Sequence, residues 1–142
     1  MSQLALYTND IRAAISKIKS KKPTLILISG ESAFLREKSQ QIIKVAWSKI
    51  SDHQATFWQG DKFEEENFSL LYEQTSLFES SRLHFIRRFN KQADLSRWIK
   101  GKSSNLTNCI AIEIGNYKIN KKLEECAKKI DATFIRCPTT TQ

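Results

Sequence analysis

The sequence has no apolar run approaching the roughly 18 residues needed to cross a bilayer, and its N-terminus lacks the pattern of a secretory leader, so a cytoplasmic location is expected. Its three cysteines, Cys109, Cys126 and Cys137, are odd in number and have no metal-ligand spacing, which argues for reduced thiols packed in the fold. Neither His53 nor His84 has a cysteine or carboxylate at a spacing that suggests a metal site or a catalytic pair. No Gly-Lys-(Ser/Thr) follows a glycine at phosphate-loop spacing. Glu64-Glu65-Glu66 puts three carboxylates in a row, but neighbours in sequence point in different directions and suit a solvated helix N-terminus. These absences leave no catalytic residue, no metal and no cofactor to assign.

What remains is ordinary for a globular domain: 142 residues, 40% of them apolar and 27% charged, enough for one real core. The 23 basic residues outnumber the 15 acidic ones, giving a net charge of +8, which favours acidic proteins or polyanions as partners. Lys17, Lys19, Lys21 and Lys22 are the densest cluster. Arg87-Arg88, Lys121-Lys122 and Lys128-Lys129 are spread over other segments, and none forms a nucleic-acid motif.

Hydrophobic periodicity predicts alternating helices and strands. A helix over 9–20 carries Ile11, Ala14, Ile15 and Ile18 inward behind Thr8 or Asn9 as cap, and Lys21-Lys22-Pro23 ends it. Leu25-Ile26-Leu27-Ile28 reads as a strand buried on both faces, the mark of a parallel sheet. A helix from Ser32 or Ala33 follows, lined by Leu35, Ser39, Ile42, Ile43, Ala46 and Ile50, with Trp47 beside them. Further strands are predicted over 55–58, 83–89, 110–114 and 132–136. Helices are predicted from Asn67, over 92–99 and over 116–129. The pattern predicts an α/β fold, a doubly wound, mostly parallel five-stranded sheet.

The turn Ser29-Gly30-Glu31 after the first strand has the strand–glycine–helix layout of a phosphate loop. It lacks a second glycine and a lysine, and places the Glu31 carboxylate where a phosphate would sit, so no nucleotide is expected there. Gly101-Lys102-Ser103 lacks a preceding strand and reads as a linker loop.

The remaining feature is Gln74-Thr75-Ser76-Leu77-Phe78, where a helical pattern ends and a strand begins. Such junctions lie on the surface, and two adjacent large apolar side chains cannot both share the inward face of Phe68, Leu71 and Tyr72. Two readings stand: Leu77 and Phe78 close the core as a hydrophobic C-terminal contact, or they dock into a partner's pocket. Two docked anchors would gain about 3–6 kcal/mol before ordering costs, short of the roughly 8 kcal/mol of a micromolar complex, so further contact surface is required.

Gln-x-Ser-Leu-Phe resembles the pentapeptide, commonly Gln-Leu-(Ser or Asp)-Leu-Phe, by which bacterial proteins bind the polymerase sliding clamp; Thr75 stands where that peptide usually has an apolar residue. The chain resembles the N-terminal domain of the delta subunit of bacterial DNA polymerase III, the clamp-loader subunit that opens the clamp. Ser76-Leu77-Phe78 followed by Arg82-Leu83 carries the likeness, with the strand and turn over 25–37, the apolar run from Cys109 to Ile114, the lysine-rich segment after it, and a tail strand ending near Cys137-Pro138. The resemblance implies an AAA+/RecA-like domain without a phosphate loop over residues 1–137, with 138–142 beginning an interdomain linker to further domains that assemble the loader. It implies a non-catalytic subunit in DNA replication: Leu77 and Phe78 enter a pocket on the clamp (the beta subunit), Gln74 contacts its rim, and Ser76 is a further partner-binding residue. It also implies contact with other loader subunits only through those further domains, and with DNA through the complex. Two other classes remain: a nucleotide-handling domain with a degenerate phosphate loop, and a basic nucleic-acid-binding module.

Overall fold

The computed structural model describes residues 3–20, 22–73, 81–102, 106–115 and 118–139. Five strands, β1 (Thr24–Ser29), β2 (Thr56–Gln59), β3 (Leu83–Arg87), β4 (Cys109–Gly115) and β5 (Thr133–Arg136), form one sheet in the order β2-β3-β4-β1-β5. Every pairing is parallel. Among the described residues five α-helices, α1 (Gln3–Lys19), α2 (Ala33–Ser48), α3 (Glu65–Glu73), α4 (Gln92–Lys100) and α5 (Lys121–Lys129), cover its faces.

The strand order decides which helix covers which face. From β1 the chain runs through α2 to the far edge at β2, then steps back through β3 and β4 and passes β1 to reach β5. Right-handed crossovers place helices on opposite faces when the direction of travel reverses, so α2 is separated from α3, α4 and α5. Two cores result. Ile26 and Ile28 face Ile11, Ala14 and Ile18 of α1 and Ile43 and Trp47 of α2. Leu25 and Leu27 face Phe68 and Tyr72 of α3, Trp98 of α4 and Leu123 of α5. This period-two split of one apolar run is why all six residues of β1 are buried. Within the second core, Phe63, Phe68 and Phe89 each pack against the Trp98 ring, with centroids 6.4, 5.9 and 5.7 Å away.

The fold class agrees with the sequence-based expectation, and several boundaries differ. α1 begins at Gln3, ahead of the expected start, because Tyr7 extends its buried stripe through Ile11, Ala14 and Ile18; Thr8 lies inside the helix and donates to the Leu4 carbonyl at 2.8 Å. Asn67 does not cap α3 from outside. It sits in the first turn of α3 and accepts from the Glu64 amide at 2.9 Å. α5 starts at Lys121, not Asn116, because the Asn120 side chain accepts from Leu123 N at 2.8 Å and caps it. β3 stops at Arg87 because Arg88 turns into the left-handed region, φ 57°, and sends Phe89 inward.

Candidate functional site

The turn after β1 is filled by the chain itself. Gly30 has φ 126°, and a Cβ placed there would lie 2.2 Å from the Cys137 carbonyl oxygen. The Gly30 amide donates to Gly115 O at 3.2 Å, the Ser32 amide donates to Cys137 O at 3.2 Å, and the Cys137 amide donates to Ser29 O at 2.7 Å. Ser32 caps α2 by accepting from Leu35 N at 3.1 Å. The Arg36 guanidinium donates to the Gly30 carbonyl and to Glu113 of β4, with Nε 3.1 Å from the carboxylate. Amides and cation that a phosphate-binding turn would aim at a ligand are thus directed at Cys137, Gly115 and Glu113.

Glu113 also reaches sideways. Its other oxygen accepts from the Arg88 amide at 3.1 Å, and its carbonyl accepts from Phe89 N at 2.8 Å, so one side chain ties the α2 start to the turn leaving β3. Beside this region a groove of about 970 Å³ runs between α1 and β5, bordered by Leu6, Asp10, Phe134, Arg136 and Pro138. Three of the cations that line it are paired within the chain: Arg136 with Asp10 at 2.7 Å, Lys128 with Glu124 at 3.2 Å, and Lys17 with Asp131 at 3.6 Å. Among the described residues no group of three histidine, cysteine, aspartate or glutamate side chains gathers as a metal site, and no helix is long and apolar enough to cross a membrane.

The sequence-predicted partner residues Gln74, Ser76, Leu77 and Phe78 lie outside the described residues. The elements on either side are described. α3 buries Phe68, Leu71 and Tyr72 and turns Glu66, Leu70 and Glu73 outward, with Leu70 56% exposed. Burial, and then the neighbouring Glu73 carboxylate, raises the Tyr72 phenol above its usual range. A helix end leaves carbonyls without helical partners, and here another part of the chain supplies them. The Asn108 side chain donates to Leu71 O at 2.8 Å, and Thr107 donates to Tyr72 O from both its amide, at 3.2 Å, and its hydroxyl, at 3.0 Å. Lys102 donates to Ser69 at 2.7 Å and to Glu73 at 3.2 Å.

The chain returning at Ser81 meets the same residues. Ser81 Oγ donates to Thr107 O at 2.8 Å, Arg82 N donates to Asn108 Oδ1 at 2.9 Å, and Cys109 N donates to Arg82 O at 2.8 Å. The sequence reading passed over Thr107 and Asn108 because a run of small polar residues before a strand looks like any loop. The available signal was an asparagine next to the first residue of a central strand, where a polar side chain becomes buried and needs partners.

Further buried titratable groups lie in or beside the strands of the sheet. His84 is held neutral, its pKa pushed down to about 4 by burial and then by the charge of Arg82. Burial pushes the Cys109 and Cys137 thiols up to about 11, which leaves them protonated and unreactive near neutrality.

Among solved structures the chain is similar to the Bacillus subtilis DNA clamp loader delta protein YqeN, with a TM-score of 0.61 and 12% sequence identity over 90% of this chain. The chain spans 42% of that protein's length. At this identity the likeness is one of fold, an α/β domain built on a parallel sheet. Saccharomyces cerevisiae RIF2 is a weaker likeness, with a TM-score of 0.48 and 9% identity over 95% of this chain and 59% of that one. No family model matches the sequence, and no curated protein matches it.

Proposed function

We propose that this chain is a clamp-loader delta-type domain of the DNA replication machinery that binds a polymerase sliding clamp and does no chemistry of its own. The supporting observation is one of order: the fold of a clamp loader delta protein extends over 90% of the chain, and the Gln74, Ser76, Leu77, Phe78 peptide follows directly on α3. Leu77 and Phe78 are the anchors, and Gln74 and Ser76 set the register at the pocket rim. The exposed Leu70 on the outer face of α3 offers the additional contact surface that two anchors alone require. Binding of this kind favours an open ring only to the extent that the domain prefers the open ring to the closed one.

The internal packing of the Gly30 turn supports the non-catalytic side of this reading, since the Cys137 backbone lies so close that a Cβ on Gly30 would stand 2.2 Å from its carbonyl oxygen. The test is surface plasmon resonance of the chain over an immobilised bacterial sliding clamp, with Leu77→Ala/Phe78→Ala as the variant. The expected result is loss of binding, about 100-fold or more for two buried anchors, with an unchanged urea midpoint. Unaltered binding sinks the proposal, and so does a variant that no longer folds, because the pair would then belong to the core.

A further inference from the structure

We infer that Thr107 and Asn108 are positioning residues for the clamp-binding segment: one dipeptide at the entrance to β4 fixes both stems of residues 74–80. This rests on the docking reading above and adds the device that presents the segment. Asn108 is 6% exposed, and its amide is used in both senses, Nδ2 donating to Leu71 O at 2.8 Å on the outgoing stem and Oδ1 accepting from Arg82 N at 2.9 Å on the returning one. Thr107 repeats the arrangement, donating to Tyr72 O from its amide and hydroxyl and accepting from Ser81 Oγ at 2.8 Å. Cys109 N then bonds Arg82 O at 2.8 Å, so the bridge continues into the β3–β4 ladder.

Capping α3 alone would need only donors, and starting β3 alone would need only an acceptor. A carboxamide supplies one of each at fixed separation, and this pairing sets the distance between the stems through a central strand of the sheet. Segments whose ends are held lose less conformational freedom on docking, so the bridge raises affinity without touching the partner.

Asn108→Asp separates the two halves of the bridge, because the carboxylate keeps an acceptor for Arg82 N but turns a second acceptor toward Leu71 O. Binding of the full chain to a bacterial sliding clamp should weaken about tenfold, approaching the affinity of a synthetic peptide spanning 67–83, which carries the anchors without the stem. Amide exchange at Thr107 and Arg82 should quicken while Leu25–Ile28 keep their protection, a split that general destabilisation would not produce. Thr107→Val deletes only the hydroxyl bond, leaving the Thr107 amide on Tyr72 O, and should weaken binding about threefold; it decides the matter if Asn108→Asp does not fold. Parent affinity in the folded variants overturns the inference, as does a free peptide that binds as tightly as the domain. If Leu77→Ala/Phe78→Ala leaves binding intact, the docking reading falls and this one with it. If that double change abolishes binding while Asn108→Asp and Thr107→Val do not weaken it, only the positioning role is lost.

Discussion

Removal of the Glu113 carboxylate should be among the most costly single changes in this chain. Arg36 Nε stands 3.1 Å from it, and the two side chains are 12% and 10% exposed. At an effective dielectric constant of about 20, a charge pair at that distance attracts by about 5 kcal/mol, most of it offset by the desolvation of both ions. Deleting one partner leaves the desolvation cost of Arg36 in place, so Glu113→Ala should cost about 3–5 kcal/mol. The same change strips the acceptor from Arg88 N, at a residue held at φ 57°, which adds to the loss. With a urea slope of about 2 kcal/mol/M for a chain of this size, the midpoint should fall by about 2 M. Intrinsic fluorescence of Trp47, Trp58 and Trp98 reports the transition. Arg36→Met combined with Glu113→Leu should recover much of the loss, because no buried ion then lacks its counterpart. A midpoint shift under about 0.5 M for Glu113→Ala, or a double variant as unstable as the sum of the single ones, would refute this account.

His84 makes stability depend on pH. The unfolded histidine takes up its proton near 6.5 and the folded one only near 4, so stability falls as pH drops through that window and levels off below it. The full difference is about 3 kcal/mol, and comparing urea midpoints of the parent and His84→Gln from pH 7 to 4 isolates it from the titrating carboxylates; parallel curves would sink the assignment. Gly30→Ala should destabilise by more than about 2 kcal/mol, since the new Cβ meets Cys137 backbone rather than a movable side chain and φ 126° is unfavourable for it; a thermal midpoint within about 2 °C of the parent's would contradict this.

The class of fold was legible because the cores are built from unbroken local signals. Leu25–Ile28 is apolar at every position, as a strand covered on both faces must be, and Phe68, Leu71 and Tyr72 recur at helical spacing. Helix starts were harder to read. Asn120 and Asn67 are the same residue type in similar surroundings, yet one caps a helix from outside and the other sits in a first turn; local sequence offered both choices and packing selected between them.

Residue order by itself determined the alternation of strand and helix, the lack of a lysine-bearing phosphate loop, and an adjacent leucine and phenylalanine placed where a helix gives way to a strand. The tertiary structure alone decided that Cys137 closes on Gly30, that Glu113 binds Arg36, and that Thr107 and Asn108 hold Tyr72 and Arg82 together. The physical reason is range. Periodicity and turn chemistry act over a few residues along the chain, whereas a buried polar side chain must find its partner wherever the fold brings one, and 26 to 107 positions separate these partners in sequence.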